Sequence, residues 1–244
     1  MATKNIGIKG YNGLPFVDEK ARTMIKNTGI TNKFEGKKWG VFGDSLSQPK
    51  SSDNLPKYND VICDKLGMTT VSYAKGGSGY FKGNGSVGYG TGNIIDSINS
   101  ASTDFDIISM MAGVNEHGLT MGTISDSIKD TPTTLCGAVK KSIELAIEKY
   151  PNAQIFIITP TPGTGNLSTI KQGTLNDYVN NQIEIAKMYN IPVLDLFHES
   201  NLRPWNDTNL QTYYGGNYVH LNATGHQYIA QIIQKFMENN LVFL

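Results

Sequence analysis

Short apolar and β-branched runs alternate with helix-period stretches from Lys38 to the end of the chain, and this alternation constrains the fold more than any other feature. The runs predict five strands, at Lys38–Phe42, Thr69–Tyr73, Ile107–Ala112, Gln154–Thr159 and Pro192–Leu196. Helical spacing predicts helices at Asn54–Leu66, Asn93–Ser100, Leu135–Tyr150 and Thr174–Tyr189, with a last helix after Asn222. Alternating strands and helices form a mostly parallel sheet with helices on both faces. The pattern therefore predicts an α/β fold, a three-layer α/β/α sandwich of flavodoxin-like type with five parallel strands in the order 2-1-3-4-5.

Length and charge narrow the class of protein further. A chain of 244 residues usually forms one domain, and we expect that domain to span residues 36–244, after an N-terminal extension at residues 1–35. The 21 Lys and Arg residues balance the 21 Asp and Glu residues, so there is no net field to attract nucleic acid or an anionic membrane. The sequence contains no apolar stretch of about 18 residues that could span a membrane. We expect neither nucleic-acid binding nor membrane insertion, and leave open whether the chain forms a homo-oligomer.

The two cysteines, Cys63 and Cys136, lie in predicted helices without a nearby Cys or His partner. We interpret them as buried free thiols rather than a disulfide, and we expect no metal and no cofactor. The first 16 residues lack the unbroken apolar stretch of a secretory signal.

Each of the first three predicted strands is followed by a loop that carries a candidate functional group. In sheets of this kind, loops at the carboxyl ends of the strands converge on the site. Ser45 follows the first strand in Gly43–Ser47 and is either a nucleophile or a helix cap. Gly76–Gly79 follow the second strand and either bring backbone N–H groups to a ligand or form a turn. Asn115, after the third strand, is either a donor to a developing oxyanion or a buried, satisfied amide.

The chain has four histidines, and only one lies where a general base would be expected. His220 directly precedes the last predicted helix, in a loop that can reach back over the end of the first strand. His226 on that helix and His198 after the fifth strand are expected to be structural. His117 is two residues from Asn115. For this residue, contact with the substrate and a structural role are about equally favoured.

Together these loops resemble the four sequence blocks of the SGNH, or GDSL, hydrolases. The blocks are Gly43-Asp44-Ser45-Leu46-Ser47, Gly76 to Gly79, Gly113-Val114-Asn115-Glu116 and Asn217 to Asn222. The second departs from the family pattern at Ala74, where Asn is usual, and the third at Glu116, where Asp is usual. The resemblance implies that Ser45 is the nucleophile and His220 the general base. It also implies an oxyanion hole formed by the N–H groups of Ser45 and Gly79 and the side chain of Asn115.

The fourth block departs from the family at Asn217, where the family has the Asp that orients the catalytic histidine. Losing such a carboxylate lowers turnover by roughly four orders of magnitude in serine proteases. Three explanations stay open. Asp195 or Asp207 reaches His220, a backbone carbonyl or the Asn217 oxygen holds the ring, or the chain is weak or inactive.

The resemblance implies a serine esterase that works through an acyl-serine intermediate on a small-molecule or polysaccharide ester. We expect O-acetyl groups on a carbohydrate, because no lid or membrane segment is visible and tyrosines suited to sugar stacking occur in the loops, at Tyr80, Tyr89, Tyr213 and Tyr214. Expected substrate contacts are Asp44, Gly77, His117 and Tyr80.

A lipase or thioesterase is one alternative to this function. The other is an inactive glycan-binding or structural module, because the segment Tyr11–Ile25 weakly resembles linkers of bacteriophage tail proteins. The expected location is therefore either a virion or the cytoplasm.

Overall fold

The computed structural model describes residues 32–49, 55–81, 92–102, 104–116, 120–129, 131–163 and 175–243. The predictions for residues 1–31, including the phage-tail resemblance, lie outside the described residues, as do those for His117 and Tyr89. Phe34, which the predicted boundary assigned to the extension, is buried in the core.

A five-stranded sheet forms the centre of the molecule. Its strands are β1 (Lys38–Gly43), β2 (Thr69–Ser72), β3 (Ile107–Met111), β4 (Gln154–Ile158) and β5 (Val193–Leu194). All of the strand pairs are parallel, and the order is β2-β1-β3-β4-β5. The predicted fold class and strand order are confirmed. β1 lies between β2 and β3, and the three strands are parallel. The loops that follow them therefore meet at the same edge of the sheet.

Helices cover both faces of this sheet. Within the described residues they are α1 (Tyr58–Leu66), α2 (Ile94–Ser100), α3 (Leu135–Lys149), α4 (Leu175–Met188), α5 (Leu196–Glu199), α6 (Asp207–Asn209) and α7 (Ala223–Asn240), with a π-helical turn at Leu210–Tyr214. None of the described helices is long and apolar enough to cross a membrane.

Two hydrophobic clusters fill the spaces between the layers. Ile108, Met110 and Ile157 point to one face, where they pack with residues of α2, α3 and α4. Alternate residues of the same strands, such as Ile107 and Met111, point to the other face and pack with residues of α1 and α7. β1, β3 and β4 are largely buried on both faces and read as nearly continuous apolar runs, which is why the sequence located them well. Cys63 and Cys136 are free and buried, as predicted.

Two predicted boundaries are wrong by more than one residue, each for a local reason. The helix predicted from Asn54 begins at Tyr58, because Pro56 disfavours helical geometry in the residue before it and Asp60 accepts a hydrogen bond from the Lys57 N–H. The fifth strand ends at Leu194 rather than Leu196, because the Asp195 side chain caps a short helix by accepting from the His198 N–H.

Candidate active site

Ser45 and His220, 175 residues apart in sequence, meet at the carboxyl edge of the sheet. Ser45 Oγ lies 2.8 Å from His220 Nε2. Ser45 lies two residues after the end of β1, whereas His220 belongs to the loop that leads into α7. A hydroxyl within hydrogen-bond reach of an imidazole nitrogen is the arrangement that activates a serine for attack on a carbonyl. The structure therefore brings together the two residues on which the sequence interpretation depended.

The loop that carries Ser45 is held by its own hydrogen bonds. Asp44 Oδ1 accepts from the Leu46 N–H at 2.9 Å, and the Asp44 carbonyl accepts from the Ser47 N–H at 3.1 Å. Ser47 Oγ also contacts Tyr58 OH at 2.8 Å, which joins the loop to the start of α1. The Asp44 side chain is fully buried, so the expectation that it contacts substrate does not fit the structure. It holds the loop that presents Ser45.

The loop after β2 is a tight turn that leads to Gly79. The Ser78 N–H donates to the Lys75 carbonyl at 3.0 Å, and Gly77 has φ +72°, a left-handed conformation that glycine adopts without strain. Asn115 Nδ2 donates to the Ser78 carbonyl at 3.1 Å. An amide NH₂ group has two hydrogens, so this contact uses one and leaves the second for a ligand. Asn115, Gly77 and Gly79 thus lie in adjoining loops, as expected.

Glu116 stabilises the end of the loop after β2, a role that the sequence interpretation missed. Its carboxylate accepts from the Tyr80 N–H at 2.5 Å and is buried. A Cβ atom built on Gly79 would lie 2.6 Å from Glu116 Oε1, so the pair requires a glycine at position 79. The sequence signals for Glu116 were its position directly after Asn115 and its place where the resembling family usually has Asp.

Asp44 and Glu116 are two buried carboxyl groups below the site, and their electrostatics are coupled. Burial raises the pKa of Asp44 to about 7 against a weaker opposing effect of the Leu46 N–H. Burial also raises the pKa of Glu116 to about 7, with the Tyr80 N–H opposing and the charge of Asp44 adding to the rise. Both groups therefore change protonation near neutral pH, far above the ordinary range of carboxyl groups.

Three of the tyrosines expected to stack on sugar do not suit that purpose. Tyr80 is fully buried in the hydrophobic cluster, so the prediction that it contacts substrate is wrong. Tyr214 is buried and donates to the Pro162 carbonyl at 2.6 Å. Tyr213 packs on Tyr228, with ring centroids 4.8 Å apart. By contrast, Tyr218 is 49% exposed and lies two residues before His220, a position that the sequence interpretation overlooked.

Asn217 positions the backbone of the histidine loop rather than the imidazole ring. Its Oδ1 accepts from the N–H groups of Val219 and His220, each at 2.9 Å. Within the part of the chain that the structure describes, no group accepts a hydrogen bond from His220 Nδ1. Because Oδ1 faces two backbone donors, the other end of the amide is a donor and cannot accept from Nδ1–H.

Neither alternative carboxylate orients His220. Asp195 Oδ2 contacts His198 Nδ1 at 2.7 Å, and Asp195 Oδ1 accepts from the Thr159 hydroxyl at 3.1 Å. No contact joins Asp207 to His220 among the described residues.

The other two described histidines have structural surroundings. His198 contacts Asn176 at 2.9 Å in addition to Asp195. His226 is buried in α7.

The ionisation of His220 is biased toward the neutral form. Desolvation is the main cause that lowers the pKa of His220, and the positive charge of Lys57 lowers it further. A neutral ring can accept the serine proton at neutral pH, which suits a general base. However, the imidazolium formed by that transfer gains no carboxylate partner from the described residues.

No cluster of three metal-ligating side chains occurs in the described ranges. The groups that do converge are a serine hydroxyl, an imidazole, the N–H groups of two loops and a side-chain amide. This set can attack a carbonyl, bind the resulting oxyanion and move one proton.

Comparisons with known proteins agree with this chemistry. Residues 41–228 match the model of the GDSL-like lipase/acylhydrolase family. No curated protein matches the chain significantly. A crystal structure from Lactobacillus plantarum has a TM-score of 0.73 at 19% identity, covering 85% of this chain and 99% of that one. A possible lipase from Chitinophaga pinensis has a TM-score of 0.63 at 19% identity, covering 83% and 98%. Axe2, an acetylxylan esterase from Geobacillus stearothermophilus, has a TM-score of 0.55 at 16% identity, covering 85% and 96%.

Proposed function

Because this chain belongs to the GDSL-like lipase/acylhydrolase family and is a serine hydrolase that cleaves esters, we propose that it removes O-acetyl groups from a carbohydrate. The observation that carries the catalytic part is the 2.8 Å contact between Ser45 Oγ and His220 Nε2 at the carboxyl ends of the strands. No cofactor is needed for this chemistry.

In the proposed reaction, Ser45 Oγ attacks the acetyl carbonyl while His220 Nε2 takes the hydroxyl proton. The tetrahedral oxyanion accepts hydrogen bonds from the N–H groups of Ser45 and Gly79 and from Asn115 Nδ2. The intermediate then collapses, the bond to the sugar oxygen breaks, and His220 returns the proton to that oxygen. Water, deprotonated by His220, attacks the acetyl-serine and releases acetate, which regenerates the Ser45 hydroxyl.

The carbohydrate part rests on Tyr218. Tyr218 is 49% exposed and lies two residues before His220, in the same loop as the general base. Aromatic rings present an apolar face with a polar tip, which suits stacking on a sugar ring. Axe2, which shares the fold, is described as an acetylxylan esterase, an activity of the class proposed here.

A second candidate, a glycan-binding module with little or no catalysis, is favoured by Asn217. No carboxylate faces His220 Nδ1 in the described residues, and the imidazolium is correspondingly less stabilised. Such a module would bind an acetylated glycan through the same cleft, for example as part of a phage tail, without releasing acetate.

Acetate release from acetylated xylooligosaccharides, compared between wild type and Ser45→Ala, separates the two candidates. We expect release by the wild type and none above background by Ser45→Ala. Binding of the oligosaccharide without Ser45-dependent release would support the module instead. A series of 4-nitrophenyl esters from acetate to octanoate tests the lipase alternative, since a preference for the longer chains would contradict acetyl specificity.

A further inference from the structure

We propose that the acetylated carbohydrate carries a negative charge close to the scissile ester, on its alcohol side, and that Lys57 binds this charge beside His220. This inference rests on the proposed function and names the substrate class more closely: an acidic glycan with carboxylate or phosphate groups. Because an acetyl group is itself neutral, the charge must belong to the alcohol.

The first argument is the position of Lys57. It directly precedes α1, whose first residue, Tyr58, contacts Ser47 Oγ at 2.8 Å. The start of this helix is therefore fixed against the loop that carries Ser45. The positive charge of Lys57 is also close enough to His220 to lower the pKa of that ring, after desolvation, which is the larger cause. Lys57 thus lies close to His220, at the start of a helix that contacts the loop of Ser45.

The second argument is that the residue Lys57 is largely buried and that no carboxylate of the described residues pairs with it. Its exposed fraction is only 8%, whereas most lysines in proteins are exposed. Asp60 accepts from the Lys57 backbone N–H at 3.0 Å rather than from the ammonium group. Within the residues that the structure describes, no carboxylate lies within 4.0 Å of Lys57 Nζ. A largely buried lysine whose charge no described carboxylate offsets favours an anion supplied by the ligand.

The third argument comes from the charge that develops during the reaction. Proton transfer makes His220 positive next to Lys57, and Asn217 offers no negative charge to offset this. An anionic group of the substrate at Lys57 reduces the repulsion between the two cations. The positive end of the α1 dipole acts in the same direction as Lys57 and also favours an anion there. Anionic substrates should therefore react faster than neutral or cationic ones.

The test uses four aryl acetates that differ in charge: 4-acetoxybenzoate and 4-acetoxyphenyl phosphate as anions, 4-acetoxybenzamide as the neutral ester, and 4-acetoxy-N,N,N-trimethylanilinium as the cation. Each kcat/KM value is divided by the rate constant of hydroxide-catalysed hydrolysis, which removes differences in intrinsic reactivity. The wild type should favour at least one anion over the neutral ester by about tenfold, the effect of one charge-assisted hydrogen bond. Preference for the carboxylate or for the phosphate indicates which acidic group the glycan carries.

Two variants and one control connect the preference to Lys57. Lys57→Met should lose the preference for anions yet still hydrolyse the neutral ester, which shows that it is folded, and Lys57→Arg should keep much of the preference. Lys65→Met, an exposed lysine at the other end of α1, should keep the wild-type preference. Equal normalised rates for all four esters in the wild type, or an unchanged preference in Lys57→Met, would overturn the proposal.

The design separates this inference from the proposed function. If hydrolysis depends on Ser45 but does not depend on charge, only the role of Lys57 is wrong. If no acetate is released from any acetylated ester in a Ser45-dependent manner, acetyl-ester hydrolysis is wrong, and the inference that rests on it is wrong with it.

Discussion

Replacing Asn217 by Asp tests the most unusual feature of the site. At present Asn217 Oδ1 accepts from two backbone N–H groups at 2.9 Å, and the rest of the amide is a donor. An aspartate can keep both contacts through one oxygen and offer the second oxygen to His220 Nδ1. The substitution should therefore hold the ring tautomer that accepts from Ser45 and stabilise the imidazolium.

The expected increase in kcat depends on how far solvent screens the new carboxylate from the His220 imidazolium. Asn217 is exposed and His220 is only partly desolvated, so the new pair is partly screened. At an effective dielectric constant of about 40, unit charges about 5 Å apart attract by about 1.7 kcal/mol. That energy corresponds to about 15-fold in kcat. The gain should stay well below the factor of about 10⁴ that separates Asp from Asn in the buried triad of a serine protease.

The assay is kcat on 4-nitrophenyl acetate for wild type, Asn217→Asp and two controls. Asp195→Asn should leave kcat near the wild-type value, because Asp195 contacts His198 and Thr159 instead of His220. Asp207→Asn should also have little effect. An Asn217→Asp variant no faster than wild type would refute the reasoning, and a large loss in either control would identify the group that orients the ring.

Three further predictions concern the loops and the buried carboxyl groups. Asn115→Ala should lower kcat by about 10²- to 10³-fold with little change in KM, because an oxyanion donor acts mainly in the transition state; a change in KM alone would reassign it to substrate binding. Gly79→Ala should lower kcat, because its Cβ would meet Glu116 at 2.6 Å, whereas Gly76→Ala meets only the flexible Gln48 side chain at 3.0 Å and should be tolerated. Equal kcat values for the two alanine variants would contradict this. Burial raises the pKa of both Asp44 and Glu116 to about 7, so the folded state binds more protons than the unfolded state between about pH 4 and 7, and stability should fall as pH rises through this range. Glu116→Gln keeps an acceptor for the Tyr80 N–H and should flatten the fall in Tm between pH 5 and 8; a wild-type pH dependence in this variant would assign the fall to other groups.

The sequence by itself determined the architecture, because strands buried on both faces must be apolar along their whole length and helices on a sheet must repeat at helical spacing. It also indicated Ser45 and His220, since each lies in a recognisable loop beside a strand end or a helix start. What it could not supply was the environment of each side chain. Tyr80 appeared suited to the cleft, yet its ring belongs to the core, because the Tyr80 N–H is tied to Glu116. The position of Lys57 near His220 and the contact of Asp195 with Thr159 join residues that are far apart in the sequence. Only the tertiary structure decides such contacts, because burial and charge depend on neighbours that are distant in the chain.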